Sequence, residues 1–183
     1  MFWNMFGCGR KSELKMWNPQ EPTSLPSCAG NYIFLLRQGV DLLQPQIEEK
    51  PVYKTIVYEG VEYNVLYTGI SKSNLNKRII EIHFGDNAGK STLRKSLGSL
   101  RGFDFIPRDK KDNGKTKFKS EDETKITDWM VENLIVLYME NPNYKEEEKE
   151  LINVYNPPLN IQNNNNVENM NYRNKLCLLR KGK

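Results

Sequence analysis

Residues 67–83, YTGISKSNLNKRIIEIH, constrain this chain more than any other stretch. They begin at the end of a β-branched and aromatic run, Val61, Tyr63, Val65 and Tyr67, which predicts a strand. Gly69 and Ser71 mark a turn. From Ser73 to Phe84, Leu75, Ile79 and Ile82 follow helical spacing, and Ser73 or Asn74 can cap the start. One strand–turn–helix unit thus carries a phenol, a guanidinium (Arg78) and the imidazole of the only histidine, His83. Such a set suits the handling of a phosphodiester.

The length of 183 residues suits one domain, and a mean hydropathy of −0.70 is polar but compatible with one modest core. No run of about 18 apolar residues occurs, so no membrane span is expected. The N-terminus lacks the pattern of a secretory signal. Three widely spaced cysteines suggest neither a disulfide framework nor a zinc site, and a cytoplasmic, reducing location is the default expectation. Charge is strongly patterned. Residues 72–119 hold 13 Lys and Arg against 5 Asp and Glu, whereas 120–150 hold 3 against 10. A basic middle segment is what a polyanion-binding face would use, although local salt bridges to the acidic segment would account for it equally.

Taken in order, residues 1–29 read as a turn-rich extension, partly disordered, that could pack Trp3 or Trp17 on the domain. Residues 30–162 form the domain, with a basic insertion at 85–119. Residues 163–183 are an Asn-rich loop and a closing helix. Asn31–Arg37 reads as a buried strand, and two further strand-like runs flank a hairpin turn at Glu59-Gly60. Helices are expected at 92–100, with Arg94 and Lys95 exposed, from Ser120, and at 144–155, stopped by Asn156-Pro157-Pro158. Ser120 and Glu123 match a capping box. LIVLYME, at 134–140, is the end of the Ser120 helix or a strand, with a strand favoured.

Several motifs can be set aside. Gly85 to Ser91 has only three residues between its glycines, where a phosphate-binding P-loop needs four, and it follows a helix rather than a strand. A zinc site lacks ligands near His83, and no G-x-S-x-G elbow exists to make that histidine part of a serine triad. A lone helical histidine is commonly a surface or capping residue. Strand tyrosines are commonly sheet packing.

The order of motifs is more specific. Gly30-Asn31-Tyr32 opens the first strand and Tyr67-Thr68-Gly69 closes a later one. Leu75-x-x-Arg78 lies on the following helix. Glu148, then Leu151-Ile152, leads to Pro157 and Asn160, twelve residues after the glutamate. This series, spanning Gly30 to Asn160, resembles the GIY-YIG nuclease family. Asn31 and Thr68 stand where the family has Ile, and the insert between the tyrosines is longer than its usual short hairpin. His83 falls five residues after Arg78, where the family often has His or Tyr at four. One residue is about 100° of α-helix rotation.

With the strand and helix pattern, the resemblance implies an α+β domain: a small, mainly antiparallel three-stranded sheet flanked by helices. It implies hydrolysis of DNA phosphodiesters with one divalent cation, Mg²⁺ or Mn²⁺. Glu148 would be the metal ligand, with Glu147 and Glu150 as open alternatives in the same acidic cluster. Arg78 would grip the phosphate, Tyr32 would take a proton from the attacking water, and Tyr67 would position it. His83 would relay a proton or touch the phosphate, and Asn160 would hold the site's geometry. Lys72, Lys77, Lys90, Arg94, Lys95, Arg101 and the 108–119 loop are the expected contacts to substrate phosphates. Duplex DNA is the expected partner. Cutting both strands would need a homodimer or sequential nicking. Other readings of the same scaffold are a catalytically idle nucleic-acid-binding module or a nuclease acting on RNA.

Overall fold

The computed structural model describes residues 13–42, 44–107 and 116–182; Trp3 and most of the basic loop at 108–119 lie outside them. In chain order the strands are β1 (Lys15–Trp17), β2 (Gly30–Leu36), β3 (Thr55–Tyr58), β4 (Val61–Ser71), β5 (Ile106–Pro107), β6 (Thr116–Lys117) and β7 (Leu134–Glu140). The α-helices are α1 (Thr92–Leu100), α2 (Ser120–Asn133), α3 (Tyr144–Tyr155) and α4 (Met170–Leu179), and Lys77–His83 forms a π-helix.

The fold is α+β, and its main sheet is antiparallel in the order β1-β7-β2-β4-β3. Five strands replace the expected three. β7, the LIVLYME run, pairs along the whole of β2. An apolar run of this kind needs cover on both faces, which a central position supplies. β1, from the N-terminal extension, then covers the edge of β7 and buries Trp17, whose indole donates to the Thr23 carbonyl at 2.9 Å. The β3–β4 hairpin turns at Glu59 and Gly60, both at positive φ (49° and 79°), as the twist of such hairpins requires.

Side chains alternate across β2. Ile33 and Leu35 pack with Leu151 and Tyr155 of α3 on one face. Tyr32, Phe34 and Leu36 face the other, with the π-helix, α1, α2 and α4. β4 breaks this alternation. Phe34 pairs with Tyr67 but Leu35 pairs with Val65, so Leu66 is an extra residue, a β-bulge. Val65 stays on the α3 face, while Leu66 and Tyr67 both join Tyr32. Strict alternation would have put Tyr67 beside Val65, away from Tyr32.

The expected capping box does not form. α2 is entered from Lys119, and no side-chain cap is made there. The Glu123 carboxylate has stronger partners: the Arg94 guanidinium and the backbone N–H groups of Ala88 and Phe118. Two guanidinium N–H groups on one carboxylate oxygen and two backbone N–H groups on the other hold this side chain more strongly than the single bond of a capping box would.

Candidate active site

Tyr32 stands at the centre of the site because of where β2 puts it and what lies opposite. Its cross-strand partner is Gly69, and a Cβ there would come within 2.7 Å of the hydroxyl end of the phenol. Glycine therefore lets the hydroxyl end of the ring close on β4. The phenol oxygen is 2.7 Å from His83 Nε2 and accepts a hydrogen bond from Arg78 Nε at 3.1 Å.

Both partners come from the π-helix. Its i→i+5 hydrogen bonding, seen in Phe84 N–H to the Ile79 carbonyl at 3.1 Å, closes a turn over five residues. Arg78 and His83 are five apart, so the wide turn brings them to one face. The rotation that would separate them in an α-helix does not arise. The helix entry is held by Asn74, whose side chain accepts from the Lys77 N–H at 2.7 Å, and by the N-terminal extension, which accepts from the Leu75 and Asn76 N–H groups.

His83 is fully buried, not a surface or capping residue. Burial, reinforced by the charges of Arg78 and Arg94, holds its pKa well below the usual value, so the ring is neutral. Its Nδ1 lies 2.8 Å from Ser91 Oγ. Ser91 is the N-cap of α1 and also accepts from the Arg94 N–H at 3.2 Å. The next residue, Thr92, shares a hydrogen bond with the Tyr67 hydroxyl at 3.0 Å. Burial pushes the phenols of both Tyr32 and Tyr67 above their usual pKa, and the Arg78 charge pulls each back down.

Glu148 is half-buried on α3, and its charge acts on Arg78, Tyr32 and Tyr67. Burial raises its pKa, and Arg78 opposes the rise. Glu147, raised by burial and then by Glu150, shows no coupling to these groups. The Asn160 side chain makes a two-bond pair with the Thr68 backbone, accepting from its N–H and donating to its carbonyl, each at 2.9 Å. It supplies the strand edge that β4 lacks beyond the end of β3, and so holds the segment between Tyr67 and Gly69 in place. Asn31 points to the other face and donates to the Tyr144 carbonyl at 2.8 Å, tying β2 to the start of α3.

The basic residues separate into two groups. Lys72, Lys77 and Lys90 are exposed, and Lys72, Lys77 and Arg78 line an open cleft of about 360 Å³, with Arg78 linking it to the buried phenol. Arg94, expected on the surface, is fully buried. It forms a 2.7 Å ion pair with Glu123 and donates to the His83 and Glu123 carbonyls and to Thr127. No substrate phosphate can reach it. Arg101 is half-buried over the Trp129 ring, 4.4 Å from the centroid, and burial lowers its pKa to about 10. Lys95 lies over Phe105, 5.1 Å from the ring centroid. Neither of these two cations lines the cleft.

The sequence reading missed Ser91 and Thr92 as site residues. The one available signal was Ser91 itself, a residue of N-cap type directly before the periodic run of α1. It also missed Arg180, whose charge acts on Tyr67 from the end of α4. Among the described residues no group of three or more His, Cys, Asp or Glu could hold a metal ion. A single carboxylate with no hydrogen-bond partner among the described residues still fits one kind of ion. Mg²⁺ keeps most of its waters and binds through one or two carboxylates plus substrate phosphate.

The family model described as the GIY-YIG catalytic domain matches residues 30–182. Comparison with curated proteins and with solved structures finds no match.

Proposed function

The chain belongs to the GIY-YIG nuclease family, and from that premise we propose that it is a metal-dependent endonuclease hydrolysing phosphodiester bonds of duplex DNA. The observation that carries this reading is the Tyr32 hydroxyl, held between Arg78 and neutral His83 within the field of Glu148.

Burial raises the pKa of the phenol, so it stays protonated at neutral pH and takes a proton only as it gives up its own. A relay through His83 lets it do both. With Arg78 Nε–H and the bond to His83 in place, one lone pair of the Tyr32 oxygen is left for the attacking water. The water O–H breaks, its proton joins the Tyr32 oxygen, and the proton already there passes to His83 Nε2. The water oxygen then bonds to phosphorus as the P–O bond to the leaving oxygen breaks. Arg78 faces the cleft and grips the phosphate, its planar fork exchanging the Lys90 carbonyl (3.3 Å) for a phosphate oxygen. Tyr67, fixed by Thr92, positions the water.

Glu148 would hold the Mg²⁺ or Mn²⁺ ion, which would supply positive charge to the phosphate and the leaving oxygen. Lys72, Lys77 and Lys90 would bind backbone phosphates on either side of the cleft. Such contacts give affinity without sequence reading.

The test is cleavage of supercoiled plasmid with Mg²⁺ or Mn²⁺, beside Glu148→Ala and an EDTA control, with single-stranded DNA and RNA of matched sequence as competing substrates. Cutting of duplex DNA that both controls abolish supports the reading. Equal cutting by Glu148→Ala removes that ligand, preferred cutting of RNA removes the substrate, and salt-dependent binding without cutting points to an idle binding module.

A further inference from the structure

Resting on the relay just described, we infer that Ser91 is a positioning residue whose hydroxyl, fixed as the N-cap of α1, sets the tautomer in which His83 accepts the Tyr32 proton. The chain of contacts runs Arg94 N–H to Ser91 Oγ (3.2 Å), Ser91 Oγ to His83 Nδ1 (2.8 Å), and His83 Nε2 to Tyr32 OH (2.7 Å). Every member is inside the protein: Ser91 and Tyr32 are 1% exposed and His83 0%. In the substrate-free protein no water reaches these atoms, so the hydrogens must be shared among them; the attacking water of the relay enters with the substrate.

Counting them leaves two arrangements. A neutral imidazole carries one N–H. If it sits on Nε2, that N–H points at Tyr32, whose oxygen already accepts from Arg78. The phenol hydrogen is then left with no acceptor. If it sits on Nδ1, it donates to Ser91 Oγ, and Nε2 accepts the phenol hydrogen. The hydrogen left over is then that of the serine. A phenol is a far stronger acid than an aliphatic alcohol and the better donor, so the second arrangement places the stronger donor in a bond. Ser91 is suited to accept because the helix start fixes its oxygen, and the bond at one imidazole nitrogen decides the state of the other. In this arrangement Nε2 presents a lone pair to Tyr32, as the relay needs.

The chain has one histidine, so the imidazole nitrogens of ¹⁵N-histidine-labelled protein give one unambiguous signature at neutral pH. The wild-type protein is expected to show a protonated Nδ1 and a bare Nε2. Ser91→Thr, which keeps hydroxyl and cap, should keep that pattern; Ser91→Ala should move population to the Nε2–H form. A wild-type spectrum with protonated Nε2, or an unchanged pattern in folded Ser91→Ala, overturns the inference. This readout needs no cleavage, so it stands apart from the nuclease reading. In the plasmid assay Ser91→Ala should lower kcat at least 10-fold with KM little changed, and Ser91→Thr should restore it. Equal kcat in His83→Gln and wild type would sink the relay and leave the tautomer result intact.

Discussion

Arg78 and His83 hydrogen-bond the same oxygen atom, that of Tyr32, at 3.1 and 2.7 Å, across a turn of π-helix five residues long. The turn acts as a one-residue insertion absorbed by i→i+5 bonding. Deleting the exposed Glu81 should let the segment revert to α-helix with Arg78 and the histidine four apart, still on one face. The variant is expected to fold and to cleave within about 10-fold of wild type. In an ordinary α-helix the same deletion would rotate His83 by about 100° and abolish the contact. Circular dichroism and plasmid cleavage read the outcome.

His83 links stability to pH. Its pKa in the folded protein lies well below the usual value because burial, Arg78 and Arg94 all disfavour the cation. The unfolded chain therefore binds a proton that the native state does not. Stability is full above the unfolded value near 6.5 and falls as pH drops below it, by up to about 1.4 kcal/mol per pH unit. Denaturant unfolding of wild type and His83→Gln between pH 7.5 and about 5 should show this slope only in wild type.

Glu148 has the opposite consequence. Its raised pKa means that the charged carboxylate costs stability, and the protonated form is preferred by the fold. The favourable contribution is present below the ordinary carboxylate range and is lost as pH rises through the raised value. Glu148→Gln should therefore melt higher than wild type at pH 7, the gap closing at acid pH, while cleavage falls by about 100-fold or more. Glu147→Gln should leave cleavage nearly unchanged, since its carboxyl does not couple to the site.

The two groups of cations should separate in a binding assay. Lys72→Ala and Lys77→Ala should each reduce the salt dependence of DNA binding by about one phosphate contact, with little effect on folding. Arg94→Ala leaves the Glu123 carboxylate buried without its partner, and should cost about 3–5 kcal/mol of stability. At low temperature, where folded protein remains, its salt slope should equal that of wild type.

Gly69→Ala would press a methyl group to within 2.7 Å of the hydroxyl end of Tyr32. Overpacking of this kind costs about 1–3 kcal/mol. Cleavage should fall further than stability, because the phenol must shift away from Arg78 and His83. Unfolding and kcat measured on the same preparation give both quantities.

How much of this was legible beforehand follows from the range of the forces involved. α1 and α3 lie where helical spacing and the Asn156-Pro157 stop put them, and the β3–β4 turn falls at Glu59-Gly60 as its residues demand. The order of Tyr32, Tyr67, Arg78, Glu148 and Asn160 was equally readable, because motif spacing is a property of the chain. Those signals are local. What the sequence could not display is which side each residue would face after packing. The bulge at Leu66 turns Tyr67 toward Tyr32, and it exists only in the register between β2 and β4. The π turn is a hydrogen-bond choice that the apolar spacing of Leu75, Ile79 and Ile82 fits as well as an α-helix. The strand count depended on β1 and β7 finding partners more than 100 residues apart along the chain. Arg94 and Glu123 read as a solvated cation and a helix cap. Only tertiary contact, which removes water from both, made them a buried ion pair beneath His83.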